Sequence, residues 1–559
     1  MEKRTLIAIV LIMLIYWVAS EYFWKPKTVA NTQQPAAQET VAQKENTLNK
    51  ENIQDVKIVN DSLLSQAVEL NDAIFMENQH LALTFTNQGG NIKSIVVKDY
   101  TISDKKTPVQ LIPENQQLSN LQLKTSNGLV SLNQYHLKHE LTKTDSSQTL
   151  TFFMENAQGQ RIISKQFVLK TDYTLDFNIV CDNYTAVDGY NIQFDSGINL
   201  TEDNPASVKD KKNTFKVISQ VNNEYQQFTL HKIIKDISKL NSKNQKLNTL
   251  KHTGLIDWAA IRSKYFIYAL IPEKKIESKE IDIFSVNESP AFIYNVEFSK
   301  KSSVFEDSYQ LYLGPVDFYR LSSFKNGMED IAELGGSWIR WISKLFLQFL
   351  KFVNKWVTNW GIVIIIFALI LKLVLSPLTN KTMNSAKKMQ EINPMMREIQ
   401  QQFKNDPVRM NQELKKLYKE HKVNPVSGCL PLLLQMPIFF ALYPVLRFSI
   451  DLRQTGFFGW LTDLSEPDPY WILPILMGVS MFLQQKMTQV TPSPEDFKKM
   501  DEKQQAAMQS QKMMMYIMPV FMFFIFKSLP SGLVLYWMVF NVFQIAQQLY
   551  QDYKKKALR

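Results

Sequence analysis

Apolar residues are unevenly spread along this chain of 559 residues. Residues 25–336 read as polar and soluble, while 337–559 are dominated by long apolar runs. From about residue 70 to Leu321 apolar and polar positions alternate, which is the period of a half-buried strand. His80 to Thr86 alternates, Gly89-Gly90 supplies a turn, and Ile92 to Val97 returns. Gln148 to Phe153, Tyr173 to Val180 and Tyr309 to Leu313 repeat the pattern. Many short strands separated by turn signals predict a large all-β sandwich, placed at 71–336.

The last third follows another rule. Apolar segments at 358–378, 428–450, 470–487, 513–528 and 531–550 can each cross about 30 Å of hydrocarbon, the fourth with help from flanking turns. Near the N-terminus, Leu6 to Ala19 follows a basic start and precedes Tyr22-Phe23-Trp24. That run fits a cleaved signal peptide, with Val18-Ala19-Ser20 as the small-residue site, or a retained anchor at 1–24. The aromatic cluster favours retention. Retention predicts six spans, with both termini cytoplasmic. Residues 25–70, rich in Gln, Asn, Ala, Thr and Lys, read as a flexible tether.

Two amphipathic stretches stand out. In 337–357, Trp338, Trp341, Ile342, Leu345, Phe346, Phe349, Val353 and Trp356 share one helical face, opposite Arg340, Lys344, Lys351 and Lys355. This predicts a helix lying in the membrane interface. Between the second and third spans, Met389, Ile392, Met396, Ile399 and Phe403 are spaced three and four apart, as are Met410, Leu414, Leu417 and His421. The pattern predicts an antiparallel helical hairpin at 380–424, closed by an apolar seam. Asp406 is its expected N-cap with Pro407 at the first helical position, and Asn393-Pro394 should kink or restart the first arm.

Charge orients the chain. Lys381 to Lys422 carries ten Lys or Arg against five acids, and Asp451 to Tyr470 one Arg against four acids. The positive-inside rule places the first stretch in the cytoplasm and the second outside. No nucleic-acid fold accompanies the formal net charge of +10, so specific DNA binding is not expected. The two cysteines, Cys181 and Cys429, lie in different regions and should not pair. Six histidines show no ligand spacing, and no nucleophile elbow or phosphate-cradling loop is present, so neither catalysis nor a cofactor or metal is expected. Asp463, Glu466 and Asp468 read as an exposed charged loop.

The informative polar residues lie within the spans: Lys372, Gln435, Gln484, Gln485, Asn541 and Gln544. A cation at mid-span costs about 2.5–3.5 kcal/mol on insertion scales, so a chain that carries one commonly uses it. Interhelical hydrogen bonding, and snorkelling by Lys372, are the structural alternatives. Gathered on the cytoplasmic halves of four spans, these residues suggest a wet, positively charged cavity. The 22 methionines, several near the hairpin, fit core filling and also a pliable receiving surface.

The stretches Leu375 to Thr379, Lys422 to Phe439, Tyr470 to Gly478 and Leu529 to Trp537 closely resemble the YidC-type membrane protein insertases, in order and spacing through the C-terminal third. The anchor, the large β region and Tyr312-Leu313-Gly314-Pro315 are similar to the Gram-negative branch. The resemblance implies a multi-domain membrane protein: a periplasmic β-supersandwich plus an α-helical transmembrane bundle at 358–553, with five spans in the core and a cytoplasmic helical hairpin. A short basic tail at 554–559 stands where some members carry a long one.

It implies an insertase and chaperone of the bacterial inner membrane, acting alone or with the SecYEG translocon. Nascent membrane proteins, the ribosome and signal recognition particle pathway, and the lipid bilayer are the implied partners. The implied substrate groove carries Lys372, Gln435, Gln484, Tyr536, Asn541 and Gln544. The substrate-receiving hairpin presents Met389, Met396, Phe403, Met410 and Leu417. Three positions depart from the family's habit: Lys372 stands for its usual Arg, Ala368 for a frequent Thr, and Trp537 for a second Tyr. A secondary transporter of a small anion, or a polymer-binding β domain on a membrane anchor, would be the other classes.

Overall fold

A computed structural model describes residues 69–71, 73–114, 116–182, 187–194, 198–199, 201–202, 214–229, 254–274, 276–285, 292–302, 304–404, 406–423, 430–488 and 502–557. The expected anchor at 1–24, almost all of the tether, Cys429 and the end of the basic tail lie outside the described residues. The chain divides into two compact units, with the boundary between Met328 and Glu329.

In the first unit the alternating runs form, among the described residues, eighteen antiparallel strands. One continuous layer runs from Lys138–Lys143 through Gln148–Glu155, Arg161–Leu169, Thr174–Cys181, Phe305–Pro315, Phe266–Pro272, Gly254–Arg262 and Lys216–Val221 to Glu224–Thr229. The second contains Ile74–Glu77, Leu81–Thr86 and Asn91–Thr101, then Leu118–Thr125, Val187–Phe194, Phe292–Ser302 and Ile276–Ser285. Ile276–Ser285 pairs back onto Gly254–Arg262 and joins the layers. Every residue of the edge strand Lys138–Lys143 is exposed. Its lysines, histidine and glutamate discourage further strand addition.

Aromatic rings knit the layers together. Phe85 lies 5.0 Å from Phe167, Tyr190 stacks on Phe305 at 5.3 Å, and Phe298 meets Tyr309 at 5.5 Å. Gly90, at φ +58°, lies so close to Phe152 that an added Cβ would come within 2.8 Å of its ring. Only glycine fits both the left-handed turn and the contact. Tyr190 donates to Asp307 at 2.5 Å and touches the Tyr309 hydroxyl. Burial raises both phenols above the ordinary tyrosine range.

Lys165 is the most unusual core residue. It is fully buried, and its ammonium donates to Gly89 O at 2.9 Å, Asn91 Oδ1 at 2.7 Å and Ser119 O at 2.7 Å. One strand of the first layer thus grips three points of the second. All three donors are used, as a buried charge requires.

The second unit is helical. Phe318–Ser322 (α1) closes the β unit; then come Arg340–Asn354 (α2), Trp360–Gln402 (α3), Pro407–Glu420 (α4), Leu430–Phe448 (α5), Ile472–Thr488 (α6), Glu502–Phe526 (α7) and Ser531–Ala557 (α8). Among the described residues Trp360–Ser385 is long and apolar enough to cross a membrane on its own, and Leu434–Phe448, Ile472–Met487 and Met515–Phe526 are shorter apolar helices.

Three expectations are corrected here. The apolar face of α2 is two stripes rather than one. Phe346, Leu347 and Leu350 pack inward, with Phe346 5.0 Å from Phe367, while Trp341, Leu345, Phe352 and Trp356 remain exposed. A stripe wider than one neighbour can cover must meet something else. Asn393-Pro394 does not restart the hairpin arm, since α3 continues unbroken through Pro377 and Pro394 for 43 residues. Each proline removes one backbone bond, which the remaining ladder of so long a helix outweighs. The acidic loop is not exposed either: Glu466 and Asp468 are buried. Asp463 accepts from Gln454 N and Ser465 N at 3.1 and 2.8 Å, and Asp468 from Tyr470 N and Leu473 N at 3.0 and 2.7 Å. The carboxylates satisfy orphan amides of a tight loop and of the α6 start.

The hairpin of α3 and α4 is held by Ile392, Leu417 and Val423, with Met389, Met396, Ile399 and Tyr418 packed around them. His421, expected in the seam, is exposed as the C-cap of α4. Asp406 caps α4 by accepting from Arg409 N at 3.0 Å, with Pro407 in its first turn. Replacing Asp406 by Ala should weaken α4 by about 1 kcal/mol. Hydrogen exchange at residues 408–411 should speed up correspondingly, with the β unit unchanged.

Candidate functional site

The polar span residues do not form one cluster but three linked pairs, all anchored on α8. Lys372 of α3 is only 4% exposed. Its ammonium donates to Gln544 Oε1 and sits 4.9 Å from the centre of the Phe540 ring. An amide oxygen and a ring face both attract the cation, yet neither carries a compensating charge. Two helical turns nearer the α8 start, Tyr536 is fully buried and accepts a 3.0 Å bond from Gln435 of α5. Asn541 reaches Ser480 of α6 at 3.4 Å, and Ser480 donates onward to Met477 O at 2.7 Å. Gln484 is half-buried on α6, one turn beyond Ser480.

Local sequence explains the positions. Tyr536, Phe540, Asn541, Gln544 and Gln548 recur three and four apart, so they share one face of α8. Ala368, one turn before Lys372, is fully buried. Beside the buried cation, Leu369, Ile370, Leu373 and Val374 are exposed, so α3 turns a charged edge inward and an apolar one outward. The same inversion appears on α6, where Ile475, Leu476, Val479 and Leu483 are exposed. Outward apolar stripes of this extent fit lipid. Trp537 packs edge-on against Phe439 and Phe526, at 5.7 and 5.2 Å.

Of the five hairpin residues expected to receive substrate, Leu417 is buried in the seam and Met389, Met396, Phe403 and Met410 are half-buried. Met389 and Met396 help to close the hairpin. The guanidinium of Arg409 lies 5.2 Å from the centre of the Phe403 ring.

Sequence reasoning missed Ser480, Phe540, Ser376, Asn380, Gln547, Gln548 and Gln551. A serine that pairs with an asparagine on another helix leaves no mark in one sequence. The glutamines did leave one: amides recur at 544, 547, 548 and 551, continuing the polar face of α8 beyond the apolar run. Among the described residues no group of three or more His, Cys, Asp or Glu is placed to hold a metal ion.

The buried-cation helical core and the large β-sandwich each match a known family, together over nearly the whole chain. The profile of the 60Kd inner membrane protein matches residues 352–557, and that of the YidC periplasmic domain matches residues 73–349. The class is therefore an inner-membrane protein with a periplasmic β domain. The chain is similar to the membrane protein insertase YidC of Syntrophus aciditrophicus, at 30% identity over 98% of this chain and 99% of that one. The insertase of Chlorobium limicola is also 30% identical, over 97% and 93%. A crystal structure of an active YidC insertase with its first transmembrane domain resolved covers 86% of this chain and 93% of its own, at 18% identity and a TM-score of 0.34. The chain belongs to the YidC family of membrane protein insertases, which are not enzymes.

Proposed function

We propose that this insertase works by sheltering the polar or acidic leading segment of a nascent membrane protein beside Lys372. Gln435, Gln484, Tyr536, Asn541 and Gln544 complete a hydrophilic groove and solvate the guest, so it never meets the full hydrocarbon penalty. The substrate's apolar segment meanwhile slides past the outward stripes of the bundle into lipid. Burial of about twenty apolar residues supplies the driving force, and no nucleotide is required.

In this reading six spans cross the inner membrane, both termini are cytoplasmic, and 71–336 lies in the periplasm. α2 lies in the interface, its exposed tryptophans at headgroup level. The hairpin at 380–424 meets the substrate first, through Met389, Met396, Phe403, Met410 and Leu417. Ribosome and signal recognition particle pathway deliver substrates, and SecYEG shares some of them.

One observation carries the reading: Lys372 is buried among helices, and its contacts are an amide oxygen and a ring. A photoreactive residue at 372, present while a small membrane protein is synthesised, should capture that protein's hydrophilic leader. Capture of lipid alone would remove the groove from the account.

A further inference from the structure

Beyond Lys372, toward the hairpin, α3 and α8 are joined by a second polar cluster that the proposed groove does not use. One turn after Lys372 comes Ser376, and one turn later Asn380. Gln547 of α8 donates to Ser376 Oγ at 3.2 Å and to Asn380 Oδ1 at 2.6 Å. Gln551 donates to the same Asn380 Oδ1 at 2.5 Å. The two glutamine NH2 groups thus converge on one asparagine oxygen. Their own carbonyl oxygens, Gln547 Oε1 and Gln551 Oε1, are buried without a hydrogen-bond partner. Gln548, 4% exposed, is in the same condition: its NH2 donates to Met487 O at 2.9 Å, while its Oε1 is buried and unpartnered.

Three buried amide oxygens lie unpartnered within about one turn of α8. An orphaned acceptor of this kind costs free energy unless a donor arrives. A bundle that only had to hold α3 against α8 could do so with apolar side chains and leave no oxygen unsatisfied. The guest that fits is a hydrogen-bond donor. A cationic side chain is disfavoured, because the Lys372 ammonium lies one turn from Ser376 and repels it. A neutral donor that every polypeptide carries at regular intervals is the main-chain N–H.

We propose that Ser376, Asn380, Gln547 and Gln551 form a clasp at the mouth of the groove. It opens by exchanging its inter-helix amide bonds for bonds to the main chain of the incoming segment, with Gln548 as a further acceptor. The clasp reads no side chain. It admits hydrophilic sequence of any composition and passes it one turn onward to Lys372, where charge is sensed. This rests on the groove reading above and adds a separate, charge-independent binding step.

The experiment uses the full-length protein in proteoliposomes and two synthetic single-span substrates, one with an acidic leader and one with an uncharged polar leader. The double variant Gln547→Leu, Gln551→Leu should slow both by about the same factor, near tenfold for two lost hydrogen bonds. Lys372→Ala should slow only the acidic one. Replacing alternate leader amides by esters, which removes N–H donors, should slow the wild type clearly more than the double variant, which keeps Gln548. Equal ester sensitivity in wild type and double variant would overturn the clasp.

Photocrosslinking in otherwise unaltered protein guards against a variant that misfolds. A probe at 551 should capture the leader earlier than a probe at 372. Leader capture at 372 with only lipid at 551 overturns the clasp and leaves the groove standing. Failure at both positions removes the groove as well.

Discussion

With Lys372 replaced by Ala, insertion of a substrate bearing an acidic leader is expected to fall at least about tenfold, with an uncharged leader little affected. Two unit charges about 4 Å apart attract by about 4 kcal/mol at an effective dielectric of 20. Desolvation of both groups offsets part of this, and roughly 1.4 kcal/mol of surplus already gives the tenfold effect. Lys372→Arg should retain most activity, because the charge persists and the Gln544 oxygen still finds a donor. Lys372→Met separates function from stability. It removes the buried charge, leaves an apolar stem of similar size, and should raise the thermal midpoint while acidic leaders fail. Undiminished insertion of the acidic leader by the Ala variant would show that the cation does not attract cargo.

The second large effect lies in the β unit. Lys165→Met should destabilise it by about 3–5 kcal/mol, because three buried acceptors lose their donor together. The sign of the pH dependence follows from burial, which lowers the Lys165 ammonium well below its ordinary 10.5. Between that lowered value and 10.5 the unfolded chain binds the extra proton, so stability rises with pH across the window. Below the lowered value the full penalty of the buried charge is present. Tyr190 and Tyr309 act oppositely: their raised values mean that stability is lost only above about pH 10. Urea unfolding of the full chain in detergent, followed through the β signal from pH 7 to 9.5, should show an upward slope in the wild type and a flat line in Lys165→Met. A wild-type midpoint insensitive to pH would reject the assignment.

Much of the architecture was legible in residue order because both periods are local. Leu81 to Thr86 alternates whatever it pairs with, and Asp406-Pro407 marks a helix start without reference to a partner. What the residues could not show is partnership. That Thr174–Cys181 lies between Arg161–Leu169 and Phe305–Pro315 is decided by contacts more than a hundred residues apart in one case. Lys165 reads on paper as an ordinary strand lysine, and only the fold puts three oxygens around it. For the candidate site, Lys372, Gln435, Asn541 and Gln544 announced themselves as polar interruptions of apolar runs. Ser480 did not, since serine is tolerated anywhere in a helix. The acidic loop misled because burial of a carboxylate depends on backbone amides, which every residue has. Pro394 misled because its local bias was outweighed by the rest of a very long helix.

That helix has a mechanical consequence. From Lys372 to Gln402 runs one continuous rod of roughly 45 Å at 1.5 Å per residue. Its free end carries the hairpin, and Pro377 deletes the backbone bond that would have reached Leu373, just beyond the cation. A lever with a compliant joint at that point turns a sideways push on the hairpin tip into a small rotation of the charged side chain. In the proposed function, cargo pressing on the hairpin would in this way turn the groove's cation.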